Sequence, residues 1–206
     1  ISDGKTGRHI IKNGELQNVE NLGEAQMTSP NTLTDFIKWS ASNYPADRYE
    51  LVLWNHGGGT ALGFGYDEMY PDDMLSLSQI GNALSDSEIK FDIVGFDACL
   101  MGTIETAYML EPYADYLVAS EEYEPGTGWY YSEWLENLSD NTSMPTVEIG
   151  KKIVEDYING PDSSFFDSNT LSIVDLREIP YTYSKLCETM QQEEGVLDSR
   201  YSVISQ

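Results

Sequence analysis

Positive charge is what this chain has least of: 11 Lys and Arg stand against 35 Asp and Glu in 206 residues, a formal net charge of −24. Such a balance repels nucleic-acid phosphates and anionic lipid, which argues against both as partners and leaves basic peptides or cations as the natural ones. The same charge also serves plain solubility outside a cell, since net charge speaks for neither fold nor site. Cysteine is as sparse. Cys99 and Cys187 are the only two, with no CxxC or Cys/His spacing around them, which excludes a disulfide scaffold and a zinc finger. Histidine occurs twice, at His9 and His56. No apolar run approaches the roughly 18–20 residues of a membrane span, so no span is expected in this chain. The start at Ile1 has neither a Met nor the charged-then-apolar pattern of a signal peptide, and both ends read as the ends of a fragment. Acidity with little cysteine suits a secreted or bacterial cell-envelope protein.

What is present is a chain 40% hydrophobic and 12% aromatic, enough for one substantial core, so residues 1–206 are expected to form a single domain. The first 28 residues scatter Gly4, Gly7, Asn13-Gly14 and Gly23 among short apolar stretches and read as hairpin or loop. Leu33, Phe36, Ile37, Ser40, Ala41 and Tyr44 then fall at helical spacing, with Asn31 or Thr32 as cap and Pro45 as stop. Residues 49–55 form a β-type run ending abruptly in His56-Gly57-Gly58-Gly59. Residues 64–75, with four acids around Pro71, read as a solvated loop, and Leu77, Ile80, Ala83 and Leu84 resume a helix. A second apolar strand, 91–96, runs into Asp97-Ala98-Cys99, followed by a helix at 103–110. A strand at 116–120, a helix around 153–158 and a strand at 171–174 continue the alternation. Alternating strands and helices imply a largely parallel sheet covered on both faces, with ligands at the carboxyl ends of its strands. His56, Cys99 and the loop after residue 120 all fall at such ends.

A cysteine nucleophile needs a stabilised thiolate and a proton donor for the leaving amine, and an imidazole supplies the second. His56 is favoured over His9 because it ends a buried strand and is followed by glycines that let backbone approach a ligand. The backbone N–H groups of Gly57 and Cys99 are candidates for an oxyanion hole. Each signal taken alone has a plainer reading: a lone cysteine is more often a small buried hydrophobe, and a glycine cluster after a strand is more often a tight turn. Cys187 takes the plainer reading, since Tyr183, Leu186, Cys187 and Met190 share one side of a late helix.

The ordered pair of motifs, Leu51-Val52-Leu53-Trp54-Asn55-His56-Gly57-Gly58-Gly59 and Gly95-Phe96-Asp97-Ala98-Cys99-Leu100-Met101, resembles the clostripain family of cysteine peptidases. The likeness extends through Ala119-Ser120-Glu121-Glu122 and Glu124-Pro125-Gly126-Thr127-Gly128-Trp129 to Leu171-Ser172-Ile173-Val174-Asp175-Leu176, roughly residues 8–186. The resemblance implies a caspase-like three-layer α/β/α sandwich with a mostly parallel central sheet. It also implies a His56/Cys99 dyad cleaving after Arg or Lys, with Asp97 lining the pocket for the basic side chain. Independently, residues two apart on a strand share a face, which turns Asp97 to the same side as Cys99. A carboxylate there can pair an arginine through two hydrogen bonds. A backbone-capping Asp is the plainer alternative. Glu121 and Glu122 are candidates to reinforce the preference, or else solvated charges, and Trp129 and Tyr130 are pocket walls or core aromatics.

The chain departs from the family in starting downstream of an expected first central strand, so N-terminal strand or strands and further C-terminal elements are expected to lie outside it. Relatives that cut themselves do so after a basic residue between the two motifs, but only Lys90 stands there, just before the cysteine strand. Either no internal cut or a cut elsewhere is expected. No cofactor is expected to be required. Calcium is conceivable as an activator at Asp67, Glu68, Asp72 and Asp73, although no EF-hand spacing supports it. A serine hydrolase lacks its Gly-x-Ser-x-Gly elbow and a P-loop enzyme its Gly-Lys-Ser/Thr. The remaining alternative to a peptidase is a catalytically silent binding module on a bacterial surface that keeps the fold.

Overall fold

A computed structural model of the chain describes residues 6–71, 73–160 and 169–204. The start is a hairpin: β1 (Thr6–Lys12) and β2 (Glu15–Gly23) pair antiparallel across Asn13-Gly14. Both turn residues have positive φ, 53° and 76°, the backbone that an Asn-Gly pair accepts at least cost. Helix α1 (Pro30–Asn43) begins one to two residues before the expected cap. Pro30 occupies its first turn, where a missing N–H costs nothing, and Ser29 precedes it without a side-chain cap.

The main sheet has the order β3-β4-β5-β6, with β3 (Glu50–Trp54), β4 (Phe91–Asp97) and β5 (Ala114–Ala119) parallel and β6 (Ser172–Asp175) antiparallel at one edge. Helices cover both faces, so this is the expected α/β/α sandwich of caspase-like type. One layer contains α1, α3 (Leu77–Ser87), α4 (Ile104–Leu110) and α7 (Ile179–Gln192), and the other α5 (Tyr131–Asp140) and α6 (Thr146–Asn159). A one-turn helix, α2 (Gly59–Leu62), follows β3, and α8 (Glu194–Ile204) ends the described chain.

Period-two alternation divides the core. Leu51, Leu53, Val94, Phe96, Leu117 and Ala119 pack under α1, α3 and α4, whereas Ile93 and Val118 pack with Trp129, Trp134, Ile149, Ile153 and Tyr157 on the other face. Strand β4 is buried along nearly its whole length because it lies between two parallel neighbours with helices above and below. Residues 93, 95 and 97 share the second face, so Asp97 is carried toward Trp129 and α5.

Two local expectations change. Residues 64–75 are more than a solvated loop: Phe64 and Leu75 are buried, and each donates its N–H to the other's carbonyl, at 2.9 and 2.8 Å. Of the described acids between them, Glu68 and Asp73 are exposed and Asp67 is half-buried. On α7, Tyr183 and Cys187 are half-buried, but Leu186 and Met190 are exposed, because α7 packs chiefly against α4, the 3-10 turn Leu176–Glu178 before it and α8.

Candidate active site

The carboxyl ends of β3, β4 and β5 carry three loops that lock together. Gly57, after β3, lies flat against the loop after β4. A Cβ at this position would stand 3.0 Å from Met101 Cγ and 3.1 Å from the Cys99 carbonyl carbon, with the carbonyl oxygen nearer still. Only glycine admits that approach. The loop after β4 is tied in turn to the loop after β5, Leu100 N–H donating to Glu122 O at 3.0 Å and Gly102 N–H to Ser120 O at 2.7 Å. Leu100 takes a left-handed backbone, φ 63°, a strained geometry for a side chain with a Cβ. The chain therefore turns sharply just after Cys99.

His56 is exposed at the rim. Its carbonyl accepts from Gly65 N–H at 2.8 Å, its own N–H donates to Asn55 Oδ1 at 2.6 Å, and its ring meets Tyr66 edge-on at 6.1 Å. Asn55 Oδ1 also accepts from Tyr66 N–H at 2.8 Å, so one side chain fixes both sides of the imidazole's loop. Cys99 is half-buried and is not in a disulfide; its sulfur accepts from Glu124 N–H at 3.2 Å and lies 3.8 Å from Glu124 O. A donor aimed at the sulfur stabilises negative charge there. Among the described residues no hydrogen bond engages the N–H of Gly57 or of Cys99, which leaves both available to an incoming oxygen.

Asp97 is 2% exposed. Its Oδ2 accepts from Trp129 N–H at 3.0 Å and from the Tyr131 hydroxyl at 2.8 Å. Gly128 allows this: with φ 70° it brings the loop so near that a Cβ would stand 2.7 Å from Asp97 Oδ2 and 3.0 Å from Trp54 Nε1. Trp54, at the end of β3, is 66% exposed and borders the same space. Burial nevertheless holds the Asp97 carboxyl above the ordinary carboxylate range, against the pull of Trp129 N–H, the Tyr131 hydroxyl and the Glu124 carboxyl.

Beside it is a second carboxyl that local reading of the sequence passes over. Both oxygens of Glu124 are buried and, apart from the contact with the Asp97 carboxyl, have no hydrogen-bond partner among the described residues. Burial first, and the Asp97 charge second, push its pKa up to about 9. The Trp129 indole N–H is close enough to oppose that rise and has no other hydrogen-bond partner among the described residues. The Tyr157 hydroxyl, on a side chain 4% exposed, has no hydrogen-bond partner among the described residues, and the charges of Glu124 and Asp97 add to burial in raising its pKa.

The other sequence candidates lie further out. Glu121 is exposed and accepts from the Ser172 hydroxyl at 2.6 Å, tying the loop to β6. Glu122 is exposed as well, and its backbone rather than its carboxylate does the holding: its N–H is bound by the Ser120 and Thr170 hydroxyls at 3.1 Å each. Trp129 reaches Asp97 through its backbone N–H while its ring fills the core. In the acidic loop, Asp67 accepts from the N–H groups of Met27 and Met69, at 2.8 and 2.9 Å, and Asp73 from Gln26 at 3.0 Å. Asp72 lies outside the described residues. Among them no three His, Cys, Asp or Glu side chains gather as a metal site. Lys90 is at the far end of β4, its ammonium bonded to Ala114 O at 2.8 Å and paired with Asp115 at 3.3 Å.

A half-buried thiol, a histidine and two acids thus stand on the loops at the carboxyl ends of parallel strands, in a caspase-like fold. Comparison with known proteins agrees: the clostripain family model (peptidase C11) matches residues 2–199, and the chain belongs to that family. It is 35% identical over 133 residues to clostripain from Hathewaya histolytica, a match covering 56% of this chain and 25% of that protein. A secreted C11 cysteine protease from Bacteroides thetaiotaomicron, solved with an irreversible peptide inhibitor, superposes with TM-score 0.70 at 23% identity, over 84% of this chain and 52% of that one. An inactive zymogen C11 protease from Parabacteroides distasonis gives 0.66 at 24%, over 86% and 49%. At these identities the solved structures speak for the fold. The chain spans about half the length of the solved relatives it matches and a quarter of the curated one. Among the described residues no helix is long and apolar enough to cross a membrane.

Proposed function

We propose that this chain carries the catalytic centre of a secreted cysteine endopeptidase that cleaves after Arg or Lys, with Cys99 as nucleophile and His56 as its acid/base partner. The observation that supports it best is the buried Asp97–Glu124 carboxyl pair on the loops that meet at Cys99, two acids with no cation among the groups that act on them. A basic side chain enters past Trp54 and meets Glu124 Oε1 and Oε2, a geometry that suits the two parallel N–H groups of a guanidinium. Its carbonyl carbon then stands over Cys99. The thiolate attacks, the N–H groups of Gly57 and Cys99 receive the oxyanion, His56 protonates the departing amine, and water hydrolyses the thioester. Glu121 and Glu122 hold the loop that delivers Glu124.

The test is hydrolysis by the full-length protein of fluorogenic peptides ending in Arg, Lys, Asp or Leu, with and without calcium, beside Cys99→Ala. Release after Arg or Lys, falling by at least about a thousandfold in the variant, is expected. Turnover that survives Cys99→Ala, or release after Asp or Leu alone, refutes the reading. Binding of basic peptides without turnover points instead to the silent module.

A further inference from the structure

Two carboxyl groups, an indole N–H and two phenols converge at the loops that carry Cys99, and none of the groups that shift Asp97 or Glu124 is a cation. The titratable neighbours, taken element by element, are Asp97 from β4, Cys99 just after it, Tyr131 from α5 and Tyr157 from α6. Two carboxylates cannot both ionise in such a desolvated place without a counter-charge. A proton held between them relieves the repulsion, and so does an arriving cation. The Glu124 and Asp97 side chains stand within hydrogen-bonding reach of each other, a contact that needs a proton on one of them, and the Tyr157 hydroxyl beside them, on a side chain more than nine-tenths buried, has no hydrogen-bond partner among the described residues.

We propose that the empty pocket keeps one proton on the Asp97–Glu124 pair, that an entering Arg or Lys side chain displaces it to solvent, and that Glu124 thereby sets specificity. This rests on the basic-residue reading of the pocket. The accounting is closed: one carboxylic acid and one carboxylate, net −1, become two carboxylates and one bound cation, again net −1, with one H⁺ delivered to the buffer. No other bond is made or broken. A neutral side chain of the same shape enters without expelling the proton, so discrimination between arginine and citrulline grows as pH rises.

Calorimetry on full-length Cys99→Ala protein tests this with an N-acetylated tetrapeptide amide ending in arginine and its citrulline counterpart, in phosphate and in Tris at pH 7. About one proton released per arginine peptide and none per citrulline peptide is expected. Arginine affinity should rise by up to about tenfold per pH unit from pH 6 to 8. Glu124→Gln should abolish the release and flatten the pH dependence, although the two-buffer comparison decides without it. Tight arginine binding with no proton exchange overturns the shared proton and leaves the pocket reading standing. Equal binding of both peptides overturns the pocket reading, and this inference with it.

Discussion

Gly57→Ala is the substitution that most directly asks whether the β3 and β4 loops form one catalytic unit. The added Cβ would meet Met101 Cγ at 3.0 Å and the Cys99 carbonyl carbon at 3.1 Å, and would overlap the carbonyl oxygen. Met101 is wholly buried and the Cys99 carbonyl is backbone, so neither yields by a rotamer change. Relief requires the two loops to part by on the order of 1 Å, which is the scale of misplacement that costs about a hundredfold in rate. Overpacking of this kind also costs about 1–3 kcal/mol of stability. The assay is kcat/KM on an arginine peptide at a temperature where the variant is folded, with alkylation of Cys99 by iodoacetamide run in parallel. Expected is a fall of about a hundredfold in kcat/KM with the thiol still alkylated, because the sulfur remains in place while His56 and the Gly57 N–H move away from it. A variant within twofold of the parent would refute the argument, since it would mean that the Gly57 contact does not hold the two loops in catalytic register.

Tyr131→Phe deletes a 2.8 Å donor to Asp97 Oδ2. A hydrogen bond to a charged group contributes about 1.5–3 kcal/mol, so KM for an arginine peptide should rise about tenfold or more with kcat nearly unchanged; the opposite split, kcat down and KM fixed, would remove Tyr131 from substrate binding. Glu50 offers a stability measurement away from the site. Burial, with a smaller push from Asp92 and an opposing pull from Arg48, raises its pKa to about 7. A carboxyl raised in the folded state binds its proton more tightly there, so its contribution is fully present below about pH 4.5 and is lost as pH climbs through 7. Urea unfolding between pH 5 and 8 should show Glu50→Gln losing roughly 2 kcal/mol less stability than the parent, and parallel curves would contradict the assignment.

The dyad candidates could be read from the chain because their signals are local. An apolar run that stops at a histidine, and another that stops three residues before a cysteine, place both groups at strand ends before any contact is known. Period two predicts Asp97 on the side of Cys99; the structure buries it on the face of residues 93 and 95, where Trp129 and Tyr131 meet it. Glu124 was not legible in the same way. It stands in a Glu-Pro-Gly segment, where an acid is normally solvated, and it is buried only because Leu100 N–H and its own N–H stitch the β5 loop across the end of β4. The nearest sequence hint was Gly128 before Trp129: a glycine with positive φ ahead of a buried indole marks a loop that turns inward. Helix α5 was missed for a related reason, since Trp134 is the sole buried residue on a helix otherwise half-buried or exposed. The formal charge of −24 shows the same limit, because it counts every carboxyl as ionised. Burial removes Glu124 and half of Glu50 from that count at neutral pH. If the proposed recognition of a basic side chain holds, it depends less on the many acids that make the surface negative than on Asp97 and Glu124, two that the fold has taken out of water with no cation beside them.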